Sequence, residues 1–224
     1  MRHSFTVLGA AAVALALTHA AHAEVGVSGE FGSTGIGTHA TIPLSPNLNL
    51  RLGANYLHYM HSGSTADLNY DFKLKTNTYD ALLDWHPMKD SAFRLTGGLA
   101  YNGNRINVHA RSNASGTYTI QGHTYNAVDA GTVDGEVSFR KTAPYLGIGW
   151  GNAAKQTGWN FSADLGVLMQ GSPTTTLTNR GCTAPGSVCT QFAADVARER
   201  QALHDEVNRF RFYPVLRIGF SRAF

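Results

Sequence analysis

The sequence predicts an all-β protein: a transmembrane, antiparallel, up-and-down β-barrel of eight strands with long extracellular loops and one short loop helix. Three observations carry this. The chain ends on a period-2 stretch, Arg209 to Phe224. Phe210, Phe212, Pro214, Leu216, Ile218, Phe220 and Phe224 are apolar on one face, interrupted by Arg222, while Arg209, Arg211, Arg217 and Ser221 lie on the other. Such alternation is a strand with one greasy and one wet face. The chain opens on an export signature. Arg2 and His3 precede an apolar run from Phe5 to Leu17, and Ala21-His22-Ala23 supplies a small-x-small cleavage site. The loops are asymmetric, three short turns on one side against two long polar loops on the other, as outer-membrane barrels have them.

Residues 1–23 therefore read as a signal peptide and 24–224 as the barrel. The apolar run of the signal is too short to span a membrane, and no later stretch reaches the length of a spanning helix. Removing Arg2 leaves 17 of the 18 basic residues against 15 acids, a balance of +2. That is too slight to argue for nucleic acid. Low charge (15%) with 24 glycines in an exported chain leaves a secreted β-sandwich or a membrane barrel. The side on which the aromatics fall decides between them.

The first strand, Glu24 to Gly32, sets Val25, Val27, Gly29 and Phe31 on one face. A tight turn at Ser33-Thr34-Gly35 leads to a second strand with Ile36, Thr38, Ala40, Ile42 and Leu44 outward. Pro43 to Asn47 has turn composition. The third strand presents Leu48, Leu50, Leu52, Ala54, Tyr56 and Met60. The fourth changes phase: Tyr70, Phe72 and Leu74 are apolar at even positions, Tyr79, Ala81, Leu83 and Trp85 at odd ones. This predicts a bulge or bend near Lys75 to Thr78, with the earlier half projecting beyond the bilayer. His86-Pro87-Met88 begins the next turn. Phe93, Leu95, Leu99 and Tyr101 mark the fifth strand, with a second phase change near Gly103.

Ser112 to Asp134 reads as a long loop holding a small hairpin at Thr117 to Tyr125. Pro144, Leu146, Ile148 and Trp150 face out on the sixth strand. After a turn at Gly151 to Gly158, Trp159, Phe161, Ala163, Leu165, Val167 and Met169 do so on the seventh. A second long loop, Thr178 to Asn208, precedes the last strand. Within it Gln191 to Val207 is amphipathic, with Phe192, Val196, Leu203 and Val207 at helical spacing, either a cap over the rim or a lid. Eight strands put both ends of the mature chain on the periplasmic side, and Trp85, Trp150 and Trp159 beside the short turns, as an interfacial girdle requires.

The inward phase collects Glu30, Arg51, Asp80, Asp84, Arg94, Asp164 and Arg217, with His39 nearby. An eight-stranded bore is about wide enough for side chains to fill it. The set reads either as a plug of ion pairs or as a narrow solute path that selects by charge. Cys182 and Cys189 share a loop in an oxidising compartment, which predicts a local disulfide. The histidines show no i,i+4 pairs, so no metal or other cofactor is expected. His61 beside Ser62 is a weak hint of hydrolase chemistry, and no enzyme activity is expected.

Several stretches resemble the CarO-type ornithine and basic amino acid uptake porins of Gram-negative outer membranes. They are Gly29 to Thr38 with the strand to Tyr56, Phe93 to Tyr101, Ala143-Pro-Tyr-Leu-Gly-Ile-Gly149, Asp164 to Pro173, and the helix with the last strand through Tyr213-Pro-Val215. The resemblance implies a monomeric eight-stranded barrel in outer-membrane lipid. Its solutes would be small basic or neutral amino acids, and Phe224 would be read by the barrel-assembly machinery. The Cys182-to-Cys189 loop departs from the pattern. Two further readings stand beside it: a closed structural or adhesive barrel working through its loops, and a membrane-embedded lipid-modifying enzyme.

Overall fold

The computed structural model describes residues 25–64, 69–88, 91–155 and 158–224. Residues 1–23, which the sequence predicts to be a signal peptide, lie outside these residues. Thirteen strands are described, of which eight close into a ring. These are β1 (Gly26–Gly32), β2 (Gly35–Ser45), β3 (Leu48–Ser64), β4 (Asn69–Trp85), β5 (Phe93–Asn102), β10 (Thr142–Trp150), β11 (Trp159–Met169) and β13 (Phe212–Ala223). Each pairs antiparallel with its chain neighbour in that order, and β1 closes on β13, from Gly26 opposite Ala223 to Gly32 opposite Arg217. Closure leaves the ring no free edge.

The predicted outward residues are those the fold exposes. Phe31, Ile36, Tyr56, Leu83, Leu99, Leu146, Leu165, Leu216 and Phe220 form a continuous apolar belt. Trp85, Trp150 and Trp159 stand exposed beside the short turns. An apolar belt around a closed ring is the surface a bilayer demands, and a sandwich would have buried it.

The bulge expected near Lys75 to Thr78 is not there. β3 and β4 pair without a slip from Leu48 opposite Trp85 to Ser64 opposite Asn69. The change of phase at Gly103 is likewise no change of side. β4 pairs β5 through Thr78 and Asn102, then β6 (Arg105–Arg111) through Lys75 and Arg105, in one register. What inverts is the environment. Beyond the apolar belt the outer face meets water and carries Lys73, Lys75 and Arg105. The inner face, now above the bore, turns apolar with Phe72, Leu74, Ile106 and Val108. The irregularity that does occur lies at Pro43 to Ser45 of β2, beside a short turn.

The long loops are more structured than their composition predicts. β7 (Thr117–Ile120) and β8 (His123–Asn126) form the expected hairpin, turning on Gln121 and Gly122, both at positive φ. Two further strands overlap the expected loops, Ser112 to Asp134 and Thr178 to Asn208: β9 (Thr132–Ser138) and β12 (Thr174–Arg180). They extend the β3–β4–β6 sheet beyond the rim. Helix α1 (Gly186–Asn208) starts earlier than expected and packs Phe192 and Val196 onto Ala110, Tyr118, Ile120, Tyr125 and Val133. This second core lies outside the barrel.

Candidate functional site

The bore is the candidate site. All seven predicted lumen residues point into it, each at most 6% exposed. They form two linked clusters. In the one nearer the short turns, Arg51 on β3 donates to both oxygens of Asp164 on β11, at 2.9 and 3.0 Å. Arg51 also holds Asp84, with Nε 3.0 Å from Oδ2. Arg94 on β5 donates to Asp164 at 2.8 Å and to the carbonyl of Gly151. Thr96 donates to Asp84 at 2.7 Å.

The second cluster is built on Asp80. Arg217 on β13 donates to its Oδ2 at 2.9 Å and His39 Nε2 lies 2.8 Å from its Oδ1. The other His39 nitrogen is 3.2 Å from Glu30, which also accepts from Ser28 at 2.9 Å. Arg51 links the clusters, 3.8 Å from Glu30. Sequence reasoning placed His39 only near this set, yet it bridges Glu30 and Asp80. Glycine makes that bridge feasible. Gly53 is the cross-strand partner of both His39 and Asp80, and a Cβ on it would lie 2.0 Å from the imidazole. The ring reaches Asp80 by lying over a residue that has no side chain.

An apolar cluster that sequence reasoning missed packs the bore among the charges, with Leu82 between Asp80 and Asp84 on the inner face of β4. Leu82, Ala100, Ala143, Tyr145, Leu168 and Val215 form it, with Tyr213 against them. These residues share the inward parity, but alternation flags only polar residues on a wet face. Tyr145 fits because Gly166 lies beneath it: a Cβ there would sit 2.3 Å from the phenol oxygen. Beyond this cluster Asn102 donates to Gln170 at 3.0 Å. On the other side Asn49 donates to Asn152 at 3.1 Å. Beside Arg51 and Asp84 the bore leaves a space of about 10 Å³, room for about one water. Below it opens a vestibule of about 800 Å³ lined by Asn47, His86, Pro87 and Asn152.

The remaining predictions resolve individually. Cys182 and Cys189 are disulfide-bonded. His61 and Ser62 are strand neighbours and so point to opposite faces of β3. Ser62 donates to Asp71 at 2.7 Å while His61 stacks on Tyr59, so the two do not form a catalytic pair. Phe224 is 75% exposed at the end of β13. In the unit beyond the rim, Asp195 of α1 is fully buried and unforeseen. It accepts from Tyr125, from His123 at 2.8 Å and from Gln191 at 3.1 Å, and pairs with Arg198. Those bonds, that from Tyr125 foremost, hold its carboxyl below the usual range. Burial, then the bond to Asp195, pushes the Tyr125 phenol up to about 12.

Comparison with protein families and with curated proteins gives no match. The fold is similar to solved structures of two proteins of Acinetobacter baumannii. For CarO2 the TM-score is 0.59 at 20% identity, covering 90% of this chain and 99% of that one. For CarO it is 0.56 at 21% identity, covering 90% and 98%. At such identity the likeness establishes the barrel fold that the sequence resemblance implies.

Proposed function

We propose that this protein is an outer-membrane barrel of a Gram-negative bacterium, acting as a monomer and a narrow channel for small solutes. Basic amino acids such as ornithine are the first class. It carries out no catalysis and needs no cofactor. Passage requires the charge layer to rearrange, because the bore described above is closed.

One observation supports this reading. Four carboxylates, Glu30, Asp80, Asp84 and Asp164, meet only three guanidiniums, Arg51, Arg94 and Arg217, in one membrane-enclosed layer. His39 makes up the difference only when protonated. A structural filler has no need of charge, since buried ion pairs seldom add stability over apolar packing. An amino acid with a second ammonium group can replace a guanidinium contact on Asp80 or Asp84, while its carboxylate meets an arginine. Phe224, exposed at the end of the last strand, serves as the signal read by the barrel-assembly machinery.

A closed barrel working through its extracellular unit is the second reading. The apolar cluster at Leu82, Tyr145 and Leu168 favours it, because that cluster must also part for any solute to cross. Swelling of liposomes that contain the folded mature protein separates the two. The channel reading expects swelling in isosmotic ornithine, less in glutamate, and a changed ratio in Asp80→Asn with Asp84→Asn. No swelling with any small solute leaves the closed barrel.

A further inference from the structure

We infer that the outside of the barrel, at its long-loop end, carries a collar that docks the phosphate groups of outer-leaflet lipid. The collar is Lys75, Arg105, Lys141 and Arg211. All four are exposed. They lie at the upper margin of the apolar belt, where Tyr79 and Tyr101 sit with ring centroids 6.2 Å apart. Lys75 shares the outward face of β4 with Tyr79, four residues along the strand. Arg105 is its direct cross-strand partner, and His58 is its partner on the other side. Lys141 Nζ lies 5.8 Å from the Tyr101 ring, and the Arg211 guanidinium 5.3 Å from that of Phe212.

Two cations directly opposite across a ladder repel each other. The protein answers only one of them: Arg105 has Glu136 at 3.5 Å. Among the described residues, Lys75, Lys141 and Arg211 have no carboxylate within ion-pair distance. One rung further out Lys73 is likewise exposed with no carboxylate at ion-pair distance among the described residues, and only beyond it are cations matched within the sheet: His109 with Asp134 at 2.6 Å, Arg111 with Asp71 at 2.9 Å. The uncompensated charge on the outer face of β4 thus begins at the level just above the aromatics, where lipid headgroups lie. A phosphate there would relieve the Lys75–Arg105 repulsion and accept from both. At the short-turn end the described outward cations are Lys155 and Arg222, a sparser set. The occupant is therefore a lipid headgroup phosphate of the outer leaflet, reached from the side of the barrel. The inference rests on the outer-membrane reading above.

The test uses the folded mature protein in detergent micelles, titrated with diphosphorylated lipid A, the same lipid stripped of phosphate, and inorganic phosphate. Bound lipid is counted by native mass spectrometry. The collar predicts about tenfold or more tighter binding of the phosphorylated form, lost in Lys75→Gln with Arg105→Gln and retained in Lys155→Gln. Equal binding of both lipids, or an unchanged double variant, overturns it. Inorganic phosphate binding as tightly as the lipid overturns the lipid assignment. Insertion into plain phosphatidylcholine vesicles, read by heat-modifiable gel mobility, reports the membrane reading separately and checks that each variant folds.

Discussion

Arg51 on β3 grips Asp164 on β11 through two parallel hydrogen bonds of 2.9 and 3.0 Å, and β3 and β11 are not neighbours in the ring. The bond therefore ties one wall of the bore to another, and a solute cannot pass while it is made. In this low-dielectric space each partner depends on the other. Arg51→Met should destabilise the barrel by about 3 kcal/mol, because Asp84 and Asp164 lose their main counter-charge. Arg51→Met combined with Asp164→Leu should cost less than the two single changes summed. Urea unfolding in micelles, run as a double-mutant cycle, measures both.

The contact between His39 and Asp80 depends on Gly53. Gly53→Ala places a methyl within the imidazole and should cost about 1–3 kcal/mol, the usual range for overpacking. Adding His39→Ala removes the ring that is struck, so the second change should restore part of the loss. If the two costs simply add, the ring and Gly53 do not compete for the same space.

The α1 unit beyond the rim should hold between two pH limits. The depressed carboxyl of Asp195 contributes stability that is present above its unfolded value, about 4, and is lost as pH falls through the folded value. The raised phenol of Tyr125 contributes stability fully present below about 10, lost as pH rises through about 12. The opening free energy of the α1 amides, taken from hydrogen exchange after correction for its intrinsic pH dependence, should therefore be flat across neutral pH and fall at both extremes. Tyr125→Phe should abolish the alkaline limb.

Reduction should act locally. The disulfide closes a short loop, residues seven apart, at the start of α1, and a loop that size constrains the unfolded chain by about 2–3 kcal/mol. Reducing it should open the first turns of α1 to protease while the gel mobility of the folded barrel stays unchanged. A loss of the barrel itself would contradict the separation of the two cores.

The eight barrel strands were legible because lipid outside and polar groups inside impose opposite chemistry on successive residues. Phe161, Ala163 and Leu165 against Ser162 and Asp164 say this without ambiguity. The same rule misled at Lys75 to Thr78. There the strand runs straight on, and what changes is the medium around it. β9 and β12 were lost for a related reason. Val133, Gly135 and Val137 do alternate, but β12 reads Thr-Thr-Thr-Leu-Thr-Asn-Arg with no alternation of polarity, and beyond the apolar belt the contrast between faces fades into ordinary loop composition. Cluster membership was readable from parity for all seven charged residues. Which cation meets which anion was not, since that depends on how the strands stagger around the ring. His39 and Asp195 were underrated because their value lies in partners far along the chain.

Single-channel recording of the folded mature protein in a planar bilayer tests the central claim most directly. The account predicts a mostly closed barrel with small openings that ornithine alters and glutamate does not, and a changed cation preference in Asp80→Asn with Asp84→Asn. A large conductance, permanently open and indifferent to that double variant, would contradict it.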